Sequence, residues 1–237
     1  MKIRLPYLLI LSLLVGCNTI NPVWDTFKVA TGIGENNGAR LKPGVEYLKV
    51  QVNGRQVMMA LGYRTFPKPS QPATSNSDTS MKSTQLYSKD QFIHEFWYSS
   101  NKETLELVDG RIESVMGMTS EWRQSSSPPQ GWESILRNSP VYWTRTRDLM
   151  PGYRFGFKDE IQTRVIAAPT KTQDSTLPPN LDAVWFEDLV NSKDKNNSSW
   201  SYKQIFAYVN GKIVYSEQCI ASDLCLSLKY VGFIAKE

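Results

Sequence analysis

The sequence predicts a mainly β protein: an antiparallel sheet, folded as a sandwich or a half-open barrel, with a few short helices. Three observations predict it. From Val45 onward apolar residues recur with a period of two over long stretches, the spacing that lays one face of a strand on a core. Three dipeptides, Asn53-Gly54, Asp109-Gly110 and Asn210-Gly211, interrupt such stretches and supply the two positive-φ residues of a type I′ hairpin turn. The 237 residues include 7 Trp, 11 Tyr and 9 Phe, enough large apolar surface to fill the core of one β domain.

The chain opens differently. Met1-Lys2-Ile3-Arg4 carries two cations, Leu5 to Val15 is apolar, and Leu14-Val15-Gly16-Cys17 follows. Cations, a short apolar run and a small residue are the layout of an export signal. The run falls short of the roughly 20 residues needed to cross a bilayer. Leu14-Val15-Gly16-Cys17 resembles a bacterial lipobox, which predicts a cleaved signal over 1–16 and a diacylglycerol on the Cys17 sulfur, with a palmitate-type acyl chain on the new amine. Each buried methylene contributes about 0.8 kcal/mol, so two or more chains anchor stably where one does not. Asn18, in place of the Asp that retains enteric lipoproteins in the inner membrane, points by the same resemblance to the outer membrane.

Residues 17–43 read as a lipidated tether with a weak helical piece at 22–29, whose Trp24 and Phe27 rest either on the membrane interface or on the domain, packing on the domain being the simpler account. Residues 44–237 read as a single β-rich periplasmic domain. Its first hairpin joins 45–52 to 55–64, with Val57, Met59, Leu61 and Tyr63 on one face. The second joins 105–108 to 112–116, and the third joins 204–209 to 212–217. Further strands are expected at 86–99, 141–148, 153–168, 183–190 and 225–234, and a short helix at 131–137. Residues 65–84 hold Pro67, Pro69 and Pro72, then Ser, Thr, Asn and Asp. With so little to bury, such a segment cannot offset its ordering entropy and reads as a mobile loop. Residues 125–129 and 170–179 are shorter versions.

Charge and cysteines narrow the function classes. Without Lys2 and Arg4 the chain keeps 25 basic against 23 acidic residues, a net +2, which offers no clustered cations for nucleic acid. With Cys17 taken by lipid, Cys219 and Cys225 remain. In an exported chain they can pair, a short loop contributing about 2 kcal/mol; the other reading is two separate buried thiols on neighbouring strands.

No catalytic residue emerges. His94 is the one histidine, lies in a strand-like run, and has no G-x-S-x-G nucleophile elbow to serve. Neither a phosphate-binding glycine loop nor a metal-ligand cluster occurs, so no metal and no cofactor beyond the covalent lipid on Cys17 is implied. Glycoside cleavage needs a converging carboxylate pair, for which Asp159, Glu160, Glu187, Asp188 and Glu217 are the strand-borne candidates; solvated edges and salt bridges are the simpler account of them. Tyr142-Trp143-Thr144-Arg145-Thr146-Arg147 alternates, placing Trp143, Arg145 and Arg147 on one face. That face is either a stacking and ion-pairing surface for an acidic sugar or a core Trp with arginines bridging to carboxylates.

The chain resembles the YjbF/GfcB family of lipoproteins found in capsule and exopolysaccharide operons. The likeness rests on the lipobox ending at Cys17, on Trp24-Asp25, on Trp143-Thr144-Arg145-Thr146 and Trp200, and on Asn210-Gly211-Lys212-Ile213. It continues through Ser216-Glu217-Gln218 to Ile234-Ala235-Lys236. The Trp-Thr-Arg-Thr and Ser-Glu-Gln segments are its most specific parts; the 65–84 loop and the Cys219/Cys225 pair are departures. The resemblance implies an outer-membrane, periplasm-facing accessory protein of polysaccharide production or secretion, with no established catalytic residue. Its implied partners are an outer-membrane β-barrel, periplasmic polysaccharide-export proteins and the polysaccharide itself. A glycan-modifying enzyme and a carrier of lipid or another hydrophobic ligand are the competing readings.

Overall fold

The computed structural model describes residues 41–233 except 53–54, 67–91, 101, 118–120, 125–129, 152–153, 175–176, 178–180, 195–198 and 222–223. The signal, Cys17, Trp24, Phe27, nearly all of the 65–84 loop and 234–236 lie outside the described residues, as do 86–91.

Among the described residues twelve strands form the body. The first six are β1 (Glu46–Val52), β2 (Arg55–Thr65), β3 (His94–Tyr98), β4 (Thr104–Val108), β5 (Arg111–Met116) and β6 (Glu121–Gln124). A helix, α1 (Trp132–Asn138), precedes β7 (Val141–Met150) and β8 (Arg154–Ile166). Then come β9 (Val184–Lys193), β10 (Ser199–Val209), β11 (Lys212–Ala221) and β12 (Leu224–Phe233). Each strand pairs antiparallel with the next, and β1 pairs with β12, so the sheet closes. The fold is the mainly antiparallel β one that the sequence predicts; of the shapes expected it is the barrel, closed and not half-open, and closure removes every exposed edge. β6 is a strand that the apolar pattern did not signal: four residues carry one apolar side chain, Trp122.

All three hairpins form. Asp109 and Gly110 take φ 48° and 79°, Asn210 and Gly211 take 48° and 84°, as a type I′ turn requires. One face differs from the expected alternation. β2 carries a bulge between Leu61 and Tyr63, which turns Tyr63 outward to 58% exposure and brings Arg64 inward. Gly62 permits it, because a Cβ there would lie 2.4 Å from the Tyr98 ring. Cys219 and Cys225, opposite one another on β11 and β12, are disulfide-bonded.

A round twelve-strand barrel would be too wide for side chains to fill, since about eight strands leave an interior just filled by them. This one is pinched. β5 and β11 stand six strands apart in the ring, yet Gln218 of β11 accepts from the Ile112 amide at 2.9 Å and donates to the Gly110 carbonyl at 2.8 Å. The pinch divides the interior. On the side of β1–β4 and β12 it is apolar, with Val50, Met59, Trp97 and Leu105 fully buried. On the side of β7–β10 it is largely polar, with Arg145, Arg147, Asp159 and Asp188 buried.

The outside of β7–β10 carries Tyr142 and Thr144, then Lys158, Glu160 and Arg164, then Asn191 and Lys193, then Ser201 and Lys203, all exposed. A membrane-spanning barrel needs an apolar outer band, and these strands present a polar one. A second outer patch is covered: Trp185, Ala207 and Tyr215 pack under Leu177, Leu181 and Ala183. Asp174 of the same 167–183 connection is buried against Lys49, 3.0 Å away.

Two measurements follow from these turns and from the bond. Gly211→Ala, whose Cβ would meet open space, should cost the left-handed strain alone, about 1–2 kcal/mol. Gly110→Ala should cost more in the same urea titration, because its Cβ would lie 2.6 Å from Ile213 Cβ. Replacing Cys219 and Cys225 together by serine should lower stability by about 2 kcal/mol in the chain-entropy account.

Candidate functional site

The long connections, 66–93, 125–140 and 167–183, all leave from one end of the barrel, and the opposite end has short turns. Helix α1 sits over the long-connection end. Its buried face, Trp132 and Ile135, packs on Phe186 and Phe206, and Trp132 Nε1 donates to the Asp109 carbonyl at 2.8 Å. Glu133 in the first turn and Arg137 in the last complement the helix dipole. The helix covers the polar half of the interior and leaves a pocket of about 160 Å³ over the apolar half.

That pocket has an apolar wall and a charged lip. Leu48, Leu107, Trp132, Ile213 and Leu228 line the wall. Arg64 binds Glu46 through two bonds of 2.8 and 2.6 Å and reaches Glu95 Oε1 through two more of 2.9 and 2.7 Å. Lys212 Nζ lies 3.8 Å from Glu46 and 3.7 Å from Glu95, 3.3 Å over the Tyr230 ring. The Tyr230 hydroxyl donates to Glu46. Strand phase puts these groups together: Glu46 precedes Leu48 and Val50 by even steps, Glu95 precedes Trp97 likewise, and the β2 bulge delivers Arg64. The Arg64 hydrogen bonds hold the Glu46 carboxyl down at about 2. Burial and the bond to Glu46 push the Tyr230 hydroxyl up to about 12. Burial lowers the Lys212 ammonium and raises the Asp109 carboxyl, which also lines the pocket.

Trp143, Arg145 and Arg147 share a face, and that face points into the barrel. Arg145 Nε and Arg147 Nε donate to the same Asp159 oxygen at 2.7 and 2.8 Å. Arg147 also reaches Ser192 at 2.9 Å and the Ile220 carbonyl at 3.1 Å, and Arg145 reaches the Tyr202 hydroxyl at 2.5 Å. Trp143 Nε1 donates to Thr163, which donates to Asp188, which in turn holds Arg111 by two bonds of 3.2 Å. Arg145 and Arg147 are 3% and 1% exposed, so they are not a surface for sugar. They are the bridging arginines of the second reading. Burial opposes ionisation of Asp159, and the two arginines outweigh it and lower its pKa.

The other carboxylates are each engaged by neighbouring groups. Glu160 is exposed beside Lys193, Glu187 holds Arg164 and Lys203 on the outer face, and Glu217 accepts from the Gln173 amide and the Tyr215 hydroxyl. Asp159 and Asp188 are committed to arginines. His94 stands on β3, 3.4 Å from Glu106 of the neighbouring strand. A wider depression of about 780 Å³ lies against β7–β10. Its outward polar groups are bonded to one another, Gln162 to Tyr142 at 2.8 Å and Ser201 to Asn191 at 2.7 Å. The mouth pocket is therefore the better defined site. Sequence reading missed it; a charged residue in phase with an apolar strand face, at Glu46 and Glu95, was its one signal.

No protein-family profile matches the chain, and no curated protein matches it. Among solved structures the chain is similar to the hypothetical lipoprotein YmcC from Escherichia coli K12, with a TM-score of 0.51 and 12% identity over 79% of this chain and 84% of that one. At that identity the likeness is one of fold.

Asp159→Asn should destabilise the protein by about 3–5 kcal/mol, because it strands two buried guanidinium groups; chemical denaturation measures it. Acid should act at the mouth. The folded value of Glu46 lies below its ordinary 4.5, so its contribution is complete above that pH and is lost as pH falls toward about 2. Unfolding titrations of Glu46→Gln over the same range should lack that part of the slope.

Proposed function

We propose that this protein is a lipoprotein, held by an acylated Cys17 to the periplasmic face of the outer membrane. There it serves capsule or exopolysaccharide production or secretion as a non-catalytic accessory subunit, binding a barrel partner or the emerging glycan. The observation that carries the reading is where the molecule leaves room for a ligand. The interior is occupied by side chains from opposite walls, and the pocket opens at the end where β1 begins, so the N-terminal tether and the mouth share one end.

Several lines support it. The lipobox and the resemblance to the YjbF/GfcB lipoproteins supply the anchor and the process, and the barrel is similar in fold to a hypothetical lipoprotein. β1 begins at the mouth end of the barrel, so the chain that leads back to Cys17 joins the body beside the pocket. The ion-paired strand carboxylates count against a glycosidase built on them. The filled interior counts against a lipid carrier, which needs a large dry cavity.

Mass spectrometry of protein from its native host tests the anchor: a diacylglyceryl-modified, N-acylated Cys17 is expected, and a bare thiol or an intact leader would remove the reading's foundation. Purification in detergent should retain an outer-membrane barrel or the host polysaccharide, and Cys17→Ser should lower that yield at least tenfold by releasing the protein from the membrane.

A further inference from the structure

We propose that the mouth pocket receives one uncharged, hydroxylated, ring-sized group, a single neutral pyranose unit. The inference deepens the accessory reading above and rests on its glycan branch. Size sets the first limit. At about 160 Å³ the pocket falls below the roughly 300–1,000 Å³ of sites for drug-sized ligands, so it takes one ring. Its floor is closed: Leu48, Leu107 and Leu228 are at most 4% exposed, and Trp97 and Leu105 beneath them are fully buried. An extended acyl chain has nowhere to run.

Charge sets the second limit. Arg64 and Lys212 face Glu46 and Glu95, so the four cancel at the lip. A phosphate or carboxylate head would meet no net positive charge.

Desolvation decides what remains. Glu95, Asp109, Lys212 and Ser216 line the pocket beside its apolar wall. A bare hydrocarbon would strip water from these groups and return no hydrogen bond, a penalty of about 1–3 kcal/mol for each group. A pyranose returns hydroxyls that donate to the carboxylates and accept from Lys212. Its apolar face lies on the Trp132, Ile213 and Leu228 side, where burial is favourable. Asp109, its carboxyl pushed up by burial, can in addition donate when protonated.

The test titrates the protein with methyl glycosides of glucose, galactose and mannose, with sodium hexanoate and with methyl phosphate, read by saturation-transfer NMR of the ligand protons. Two variants accompany it. Lys212→Met keeps the stem over Tyr230 and removes the donors. Asp109→Asn keeps an oxygen for the Ile93 amide and suits the positive φ of that turn. At least one glycoside should bind in the millimolar range, each variant should weaken it at least tenfold with an unchanged circular-dichroism spectrum, and hexanoate and methyl phosphate should give no signal. Stronger binding of hexanoate or methyl phosphate, glycoside binding indifferent to both variants, or no glycoside binding would overturn the pocket assignment. Retention of the host polysaccharide alongside any of these results would leave the accessory role standing while the pocket assignment falls. A bare Cys17 thiol would do the reverse.

Discussion

Gln218 holds the two walls of this barrel one side chain apart, and the rest of the interior depends on that distance. Its amide is fully used, accepting from Ile112 N and donating to Gly110 O and Ser216 Oγ. Without such a tie a ring of twelve strands encloses more volume than side chains fill, and buried backbone groups at the pinch would lose their partners at about 1–3 kcal/mol each. Arg147 adds a second strut, from β7 to the Ile220 carbonyl of β11. Long side chains with several donors suit this work because they reach across a gap and satisfy polar groups on the far wall.

The pinch gives the two halves different chemistry. Against β1–β4 the walls meet through aliphatic and aromatic groups. Against β7–β10 they meet through three arginines and two aspartates, with Arg111 lying 3.6 Å over Trp132 and thereby tying the helix to the network. Since α1 seals the polar half and the apolar half is filled from below, the accessible space contracts to the mouth. Binding there uses groups that the fold already holds in place, which favours recognition over chemistry.

Much of the fold was legible in the sequence because hairpins are local. Asn-Gly and Asp-Gly between alternating runs located six strands and their partners. Closure was not legible: it depends on β1 meeting β12, at register pairs such as Leu48 with Tyr230, and no local signal reports so distant a pairing. The bulge at Gly62 shifted every later side chain of β2 by one position, which turned Tyr63 from an expected core residue into a surface one and hid Arg64 as a lip residue. β6 escaped notice because a four-residue strand gives the period of two almost no length. The alternation of Trp143, Arg145 and Arg147 was readable, and Asp159 as their partner was not, since it follows from the β7–β8 register, where Arg145 stands opposite Asp159. The segments on which the likeness to the YjbF/GfcB lipoprotein family rests, Trp143 to Thr146 and Ser216 to Gln218, include Arg145 and Gln218, both of which fill this barrel's interior.

Amide hydrogen exchange at Ile112 tests the pinch most directly. Its N–H bonds to the Gln218 side chain across the interior, so its protection reports contact between the walls. In the wild type it should exchange as slowly as the central amides of β4 and β5. In Gln218→Leu it should exchange at least about a hundredfold faster while β9 and β10 stay protected, the mark of local opening. Rapid exchange of Ile112 in the wild type, or equal protection in both proteins, would mean that the walls do not meet there and that the barrel has an open interior.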